Sequence, residues 1–289
     1  MLNQIDIHVN RFFKQENLEP TEVSRRANLP CAARTLTGAR LAYTREGTGQ
    51  PLLCLHGGMG IDSASLRVAG IRSLAARGCD VVIVDHRGHG ESSAIMSAEC
   101  THETWATDAF KLTRHLGWKK FALLGHSYGG FIALEYAVRW PHTLTHLILV
   151  ATSAGPVRFV PAPCSRDDEL RQHFEKIWPA FFVGSNKHWE LFESLRFSAA
   201  PYRAAFDREL PNYDLRFRMR SLEVPALLIV GSEDRYRRDM EWLAEELPSA
   251  SLHIVERVGH FPFVEAPEEF LDAVSRFISG ERKEMHRGR

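Results

Sequence analysis

Short apolar runs recur along the chain, and none of them alternates cleanly between apolar and polar positions. Runs rich in Val, Ile and Leu without alternation are typical of strands buried on both faces of a parallel sheet. Six such runs begin at Pro51, Asp80, Phe121, His146, Pro225 and Ser251. Ahead of them, the segments ARTLTG and ARLAYTREG predict two short strands that form an antiparallel hairpin on the edge of that sheet.

Apolar residues recur with helical spacing between the strand-like runs. The helical segments read SASLRVAGIRSLAARG, ETWATDAFKLTRHLGW, SYGGFIALEYAVRW and DMEWLAEELP. Strands that alternate with helices indicate βαβ units. The sequence therefore predicts an α/β protein with a doubly wound, mostly parallel sheet.

The alternation stops between about Ala154 and Leu222, where amphipathic helical patterns punctuated by proline replace the strands. A long insertion between two sheet strands, with helices of its own, predicts a helical lid. Most of its aromatic side chains are expected to form the core of the lid, and some to face a pocket. The predicted division is a helical N-terminal extension at 1–34, a core at 35–153 and 223–280, the lid at 154–222 and a charged tail at 281–289.

Composition narrows the classes of partner. The chain has 36 basic and 36 acidic residues, and this balance argues against a nucleic-acid partner. No apolar run approaches the roughly 20 residues that span a bilayer, and the N-terminus lacks the apolar stretch of a signal peptide. The five cysteines are odd in number and form no C-x-x-C, which indicates free thiols in a reducing, cytoplasmic compartment. No His/Cys cluster has zinc spacing, so we expect neither a metal nor a cofactor.

The segment GHSYG, centred on Ser127, fits the pattern G-x-S-x-G. In this pattern a sharp turn between strand and helix places the serine in a strained backbone conformation, and side chains two residues to either side would clash. The strand-like run before Ser127 and the helical run after it supply the required context. Ser127 is therefore the candidate nucleophile.

A serine hydroxyl needs a base, and the base needs an acid that orients it. Asp234 follows the strand-like run LLIVG, and His260 follows the last strand-like run. Open α/β sheets place their sites just past the carboxyl ends of the strands, where all three residues lie. We therefore predict a triad of Ser127, Asp234 and His260, with Glu233 as the rival acid.

A tetrahedral intermediate needs donors for its oxyanion. The glycine-rich segment HGGMG follows the first strand-like run, and we assign the N–H of Gly58 and the N–H of Tyr128 to this role. His56 is expected to order this loop. The charged run Asp85–Ser92 is expected to be structural. His126 is expected to point away from Ser127 and to be a packing or hydrogen-bonding residue.

Taken together, the segments LLCLHGGMG, VVIVDHRGHGES, GHSYGGFIALEYA, LLIVGSED and GHFPFVEAPEEF resemble the α/β-hydrolase fold family over about residues 35–280. Within it, they resemble proline iminopeptidase-like members and broad carboxylesterases. Two positions depart from the peptidases, which have Pro where Met59 stands and favour Trp where Tyr128 stands. The lid glutamates that hold the free amine in those enzymes have candidates here in Glu190 and Glu193.

The resemblance implies a serine hydrolase that acts on a small-molecule acyl substrate, with ester, amide, lactone, thioester or carbon–carbon bonds as possible targets. A serine nucleophile argues against haloalkane dehalogenase and epoxide hydrolase chemistry, because those relatives use Asp. Three alternatives stay open, namely a proline iminopeptidase, an acyltransferase and a ligand-binding receptor on the same scaffold. The residues expected to contact substrate are Met59, Trp178, Phe182, Trp189, Glu190 and Phe261.

Overall fold

The computed structural model describes residues 31–34, 39–157 and 162–280, and an eight-stranded sheet crosses the molecule. The strands are β1 (Cys31–Arg34), β2 (Arg40–Glu46), β3 (Gln50–Leu55), β4 (Cys79–Val84), β5 (Phe121–His126), β6 (Leu144–Val150), β7 (Ala226–Gly231) and β8 (Ala250–Val255). Strands β3 to β8 are parallel to one another, whereas β2 runs antiparallel to both β1 and β4. The predicted fold class, a mostly parallel sheet with an edge hairpin, is confirmed.

The hairpin begins earlier than the sequence pattern predicts. Strand β1 spans Cys31–Arg34, so it starts two residues before the segment ARTLTG and falls within the range assigned to the N-terminal extension. Residues 1–30 of that extension and the predicted tail at 281–289 lie outside the described residues.

Helices cover both faces of the sheet. They are α1 (Ala69–Arg72), α2 (His102–His115), α3 (Tyr128–Arg139), α4 (Asp167–Ile177), α5 (Trp189–Ser194), α6 (Ala199–Ala204), α7 (Leu210–Asn212), α8 (Arg237–Glu246), α9 (Pro262–Glu265) and α10 (Pro267–Ser279). Short 3-10 turns and one π-helical turn, Ala205–Glu209, connect them. Within the residues that the structure describes, no helix has both the length and the apolar character needed to cross a membrane.

The order of the strands reverses at β3, and this reversal defines where a site can form. The order across the sheet is β1-β2-β4-β3-β5-β6-β7-β8, so β4 lies on one side of β3 and β5 on the other. In open α/β sheets, the crevice at the carboxyl ends of the two strands that flank such a reversal is the usual binding site. The loops after β3 and β5 therefore meet at this crevice.

Two apolar cores lie on opposite faces of the sheet. One packs α2, α3 and α8 against it through side chains such as Trp105, Phe131 and Leu243. The other packs α10 against the opposite face through Phe270 and Val274. Because both faces are covered, the central strands are apolar throughout, which explains why their sequences do not alternate.

Between β6 and β7 the described residues form helices and turns instead of sheet strands. We call residues 154–157 and 162–222 the helical insertion. Its side chains join both cores, with Trp178 and Phe192 in one and Leu210 and Met219 in the other. The insertion is therefore packed onto the sheet layers at two places.

One predicted helix is broken. The segment SASLRVAGIRSLAARG forms a 3-10 turn at Ser63–Ser65, the short helix α1 and a second 3-10 turn at Ser73–Arg77. Gly70 in its middle lies against the main chain of Phe263, where an added Cβ would come within 2.0 Å of the carbonyl oxygen. Tertiary packing therefore sets the path of this segment and overrides its helical spacing.

Replacing Gly70 with Ala tests this contact. We expect Gly70→Ala to lower the free energy of unfolding by about 1–3 kcal/mol, because the backbone of Phe263 cannot move aside as a flexible side chain can. The measurement is the midpoint of thermal unfolding. Gly155→Ala is the matched control, because the nearest atom to its Cβ is Cδ of the Arg216 side chain, 3.2 Å away. An equal loss in both variants would contradict the interpretation.

Candidate active site

The turn between β5 and α3 holds Ser127 in a strained conformation. Ser127 has φ 51° and ψ −117°, an unusual backbone geometry for a residue other than glycine. A Cβ on Gly125 would lie 2.4 Å from the Gly129 carbonyl oxygen, and a Cβ on Gly129 would lie 2.2 Å from the Leu55 carbonyl oxygen. The glycines two residues either side of Ser127 are therefore sterically required, as the sequence pattern predicts.

Three side chains meet in one hydrogen-bonded chain at the carboxyl ends of the strands. Ser127 Oγ lies 2.9 Å from His260 Nε2, and His260 Nδ1 lies 2.5 Å from Asp234 Oδ2. All three residues are buried. With Nδ1–H donated to the carboxylate, Nε2 carries the lone pair that faces the serine hydroxyl. The structure thus brings together the three residues of the predicted triad.

Asp234, and not Glu233, reaches the histidine. Asp234 also accepts the N–H of Tyr236 at 2.6 Å, which fixes its second oxygen. Burial acts to raise the pKa of Asp234, but the neighbouring His260 and the Tyr236 N–H outweigh it, so the pKa lies below the usual value. Glu233 is exposed and accepts a hydrogen bond from the Ser232 hydroxyl at 3.2 Å.

The main chain of His260 is held on both sides. Its N–H donates to the carbonyl oxygen of Phe181 in the helical insertion at 2.7 Å. Its own carbonyl oxygen accepts a hydrogen bond from His126 Nε2 at 2.9 Å, so the neutral His126 ring carries its proton on Nε2. Burial, followed by the nearby His260, lowers the pKa of His126 to about 3. His126 therefore supports the histidine loop through a hydrogen bond, which is one of the two roles expected for it.

The glycine-rich loop after β3 lies beside the serine. A Cβ on Gly57 would come within 2.7 Å of Ser127 Cβ, so the loop and the turn are in direct contact. Gly58 has φ +60°, and its carbonyl oxygen accepts the Ile61 N–H at 2.6 Å. Tyr128 supplies the first N–H group of helix α3. Backbone N–H groups at a helix start have no intrahelical acceptor, which leaves them available to an anionic group.

Buried histidines support this loop from behind. His56, His86 and His89 form a cluster in which the first two rings have centroids 4.1 Å apart. His89 Nε2 accepts the N–H of Gly60 at 3.0 Å, and His56 Nε2 accepts the N–H of His86 at 3.1 Å. Burial lowers the pKa of His56 and His86 well below the ordinary value and that of His89 to about 4. The three rings are therefore neutral at pH 7.

The charged run Asp85–Ser92 is also built into the loop structure. Asp85 accepts the N–H groups of Ser63 and Glu91, each at 3.0 Å. Arg87 forms a bidentate ion pair with the buried Asp108. In the described part of the chain, no group of three or more His, Cys, Asp or Glu side chains has a geometry that could hold a metal ion.

A pocket of about 440 Å³ opens above the serine. Ser127, Asp234, His260, Gly58 and Tyr128 all line it. The helical insertion supplies much of the remaining wall through aromatic side chains, which are Phe174, Trp178, Phe181, Tyr202 and Phe206. None of the described insertion residues that line the pocket is acidic.

Half of the predicted substrate contacts lie in this pocket. Met59, Trp178 and Phe261 line it. Phe182 does not, because it is stacked behind Phe261 with ring centroids 5.1 Å apart and planes at 12°. The prediction that Phe182 contacts substrate was wrong, because Phe182 packs behind the pocket wall instead of facing the pocket.

Trp189 and Glu190 were predicted wrongly as pocket residues. Helix α5 buries Leu191 and Phe192, so the residues before them face solvent. Trp189 is 42% exposed, and the side chain of Glu190 is 78% exposed beside His188. Glu193 lies on the same surface, where it pairs with Arg171 at 2.6 Å.

Several residues that line the pocket were not predicted from the sequence, and these are Phe131, His173, Tyr202, Phe206, Arg235 and Tyr236. Arg235 and Tyr236 directly follow Asp234, so their proximity to the triad was the available signal. Phe131 is three residues beyond Tyr128 on α3, which places both on one face of the helix. The sequence did not indicate which insertion residues face the pocket, because their helices have aromatic residues on more than one face.

The neutral histidines make the stability of the fold depend on pH. The pKa of His89 is about 4 in the folded state and has its ordinary value in the unfolded state. As the pH falls, the unfolded state therefore binds the proton at a higher pH than the folded state does, and this favours unfolding. The contribution of His89 to stability is fully present above about pH 6.5 and is lost as the pH falls toward 4. Between pH 7 and pH 5 this amounts to about 2 kcal/mol for one such residue.

We therefore expect the thermal midpoint to fall from pH 7 to pH 5, and to fall less in His89→Gln. Glutamine keeps an acceptor for the Gly60 N–H but does not titrate. Exposed His142 provides the control, because His142→Gln should leave the pH dependence unchanged. The same slope in the wild type and in His89→Gln would contradict a buried neutral His89.

Comparison with known proteins identifies a family that matches this chain. The family model described as "Alpha/beta hydrolase family" matches residues 52–273. The chain is 27% identical over 267 residues to a 2-hydroxy-6-oxononadienedioate/2-hydroxy-6-oxononatrienedioate hydrolase of Burkholderia vietnamiensis, covering 84% of this chain and 92% of the relative.

Two solved structures share the fold. An esterase from Thermogutta terrifontis is 26% identical with a TM-score of 0.69, covering 87% of this chain and 98% of that one. The enol-lactonase from Burkholderia xenovorans is 21% identical with a TM-score of 0.77, covering 86% and 100%. The family model spans most of the chain, including the segments that carry Ser127 and His260. The protein is therefore a member of the α/β hydrolase family.

Proposed function

We propose that the protein is a serine hydrolase that cleaves an ester or lactone bond of a small molecule through an acyl-enzyme on Ser127. The observation that carries the proposal is the hydrogen-bonded chain from Ser127 Oγ through His260 to Asp234 at the wall of an apolar pocket. The esterase and the enol-lactonase that share its fold are named for these two bond types.

In the proposed acylation step, Ser127 Oγ attacks the substrate carbonyl carbon while its proton passes to His260 Nε2, 2.9 Å away. The imidazolium that forms is stabilised by the Asp234 carboxylate on Nδ1. His260 then donates the proton to the departing alkoxide oxygen, and the bond between this oxygen and the acyl carbon breaks. In a lactone, the alcohol released stays attached to the acyl group.

The developing oxyanion is proposed to accept hydrogen bonds from the N–H groups of Gly58 and Tyr128. Gly58 belongs to the loop that touches Ser127, and Tyr128 is the next residue along the chain. Fixed donors of this kind stabilise the transition state more than the ground state. Deacylation repeats the steps with water as nucleophile and His260 as the base.

The pocket favours an uncharged substrate. Apart from Asp234, its charged lining residues are Glu233 and Arg235, and both are exposed. Aromatic and aliphatic side chains form most of the wall, and transferring an unpaired charge into such surroundings is costly. Small neutral esters and lactones therefore fit this site better than carboxylates or amines.

A proline iminopeptidase is the second candidate, and the placement of the lid glutamates argues against it. Glu190 is exposed and Glu193 pairs with Arg171 on the surface, so neither faces the pocket. A substrate with a free amine would therefore lack a carboxylate from the insertion residues described. A receptor would differ from the hydrolase because it would bind the ligand without turnover. An acyltransferase would differ because it would transfer the acyl group to an alcohol or amine instead of water.

We also propose that the protein works in a reducing, cytoplasmic compartment. Cys54, Cys79, Cys100 and Cys164 are free and buried thiols. Burial raises the pKa of each of these thiols, which suppresses the reactive thiolate form.

Replacement of the nucleophile is the direct test. We expect wild-type protein to hydrolyse p-nitrophenyl butyrate, and Ser127→Ala to lower kcat by at least about 10³-fold with an unchanged thermal midpoint. Ser275→Ala, on helix α10, is the control and should retain full activity. A fluorogenic prolyl amide is assayed in parallel.

Each outcome of this assay separates two of the candidates. Prolyl amide cleavage that exceeds ester cleavage would replace the esterase proposal with the iminopeptidase. Faster product formation in the presence of a primary alcohol, with a new ester as product, would indicate an acyltransferase. No turnover of any ester or lactone above the Ser127→Ala background would overturn the hydrolase proposal and favour the receptor.

The choice of acid is tested by Asp234→Asn. We expect kcat to fall by about 10³–10⁴-fold, because an amide in this position favours the wrong tautomer of His260. Glu233→Gln is the matched control and should change kcat by less than about threefold. Comparable losses in the two variants would show that the acid had been assigned wrongly.

A further inference from the structure

The helical insertion runs directly against the loop that carries His260. The carbonyl oxygen of Phe181 accepts the His260 N–H at 2.7 Å. A Cβ on Gly259 would lie 2.3 Å from this same oxygen, so the two main chains are in direct contact. The next insertion residue, Phe182, stacks on Phe261 with ring centroids 5.1 Å apart. The position of the candidate base therefore depends on what holds these two segments together.

The carboxylate of Glu265 bridges the two segments. Its Oε1 accepts the N–H of Gly259, the residue before the candidate base, at 2.8 Å. Its Oε2 accepts the N–H of Val183 in the insertion, also at 2.8 Å. We call the contact between residues 181–183 and 259–265 the junction. One side chain thus uses both of its oxygens to join the two backbones of the junction.

The backbone of Glu265 is itself fixed. Glu265 is the last residue of the short helix α9, and its N–H donates to the Phe261 carbonyl oxygen at 3.0 Å. Phe263 in the same turn is buried and packs against Phe270 of α10, with ring centroids 5.7 Å apart. The carboxylate therefore projects from an anchored turn, and it can hold the junction in one place.

Stability alone does not explain a glutamate here. Glu265 is half-buried, and burial raises the pKa of its carboxyl, although the two N–H donors and the nearby His188 and Lys187 act to lower it. A carboxyl with a pKa that is higher in the folded protein than in the unfolded chain makes the folded state less stable once it ionises. The fold thus carries this charge at a cost.

We propose that Glu265 is a positioning residue that keeps His260 at hydrogen-bond distance from Ser127 by joining the histidine loop to the helical insertion. Glu265 is not among the residues that line the pocket, so it acts through the main chain and not on the substrate. Without the bridge, the base spends less time in the geometry that proton transfer requires. This inference rests on the proposed hydrolase function of the same site.

Glu265→Gln and Glu265→Ala test the effect on the reaction. Glutamine keeps the size of the side chain, but its NH2 group faces one of the two N–H donors, so one hydrogen bond is lost. With p-nitrophenyl butyrate we expect kcat to fall about tenfold in Glu265→Gln and up to about 10²-fold in Glu265→Ala, with KM changed less than about threefold. An unchanged kcat, with or without a rise in KM, would overturn the proposal.

Asp167→Asn is the matched control. Asp167 is a carboxylate that also accepts a backbone N–H of the insertion, that of Ala199 at 2.7 Å, but it lies outside the junction. This variant should keep the wild-type kcat. Equal losses of kcat in Asp167→Asn and Glu265→Gln would contradict the proposal, because a general loosening of the insertion would then explain both.

Amide hydrogen exchange followed by NMR measures the junction without any turnover. The His260 N–H donates to Phe181 and not to Glu265, so its exchange rate reports whether Glu265 holds the two segments together. In Glu265→Gln we expect this N–H to exchange about tenfold faster, the effect of one lost hydrogen bond, while the amides of strand β5 keep their wild-type rates. An unchanged rate at His260 would refute the proposed role.

The two measurements separate the junction from the proposed reaction. Faster exchange at His260 in Glu265→Gln, with no ester turnover by the wild-type protein, would support the junction and refute the hydrolase function. Ester turnover by the wild-type protein, with equal kcat and equal exchange in Glu265→Gln, would support the hydrolase function and refute the positioning role.

Discussion

The structure of the site depends on how closely the turn at Ser127 approaches strand β3. Gly129 lies so near the main chain of Leu55 that a Cβ would come within 2.2 Å of its carbonyl oxygen. This approach fixes the start of α3 against the end of β3 and holds Ser127 at a positive φ. It also brings the Gly57–Gly58 loop beside the serine, so the candidate nucleophile and the candidate oxyanion donors are positioned by one contact between backbones.

The histidine is positioned from two independent parts of the chain. Asp234 follows β7 and orients the ring of His260, whereas Phe181 in the helical insertion accepts its backbone N–H. The insertion therefore covers the pocket and also fixes the histidine loop. A change in its packing would act on the base as well as on the substrate-binding wall, which couples specificity to catalytic geometry in the proposed reaction.

The fold and the meeting of Ser127, Asp234 and His260 were predictable because their signals are local. Apolar strands, the glycines around Ser127 and a polar residue just past a strand are all visible within a few positions. The pocket wall was not predictable, because Trp178 and Trp189 lie in similar aromatic, amphipathic segments yet only the first faces the pocket. Which face of a short helix turns inward depends on the surface that the helix packs against. The broken helix at Gly70 is a second case in which a tertiary contact, here with the main chain of Phe263, decides the local structure.

Burial keeps several histidines near the proposed reaction uncharged. His126 lies 4.9 Å from His260 between ring centroids, and a charge there would oppose formation of the His260 imidazolium. Its burial, with a pKa of about 3, keeps it neutral while its Nε2–H still supports the histidine loop. The cluster behind the glycine-rich loop follows the same rule, since His89 holds the Gly60 N–H as a neutral acceptor. In both places a buried imidazole supplies a hydrogen bond without a charge, which a lysine or arginine cannot do.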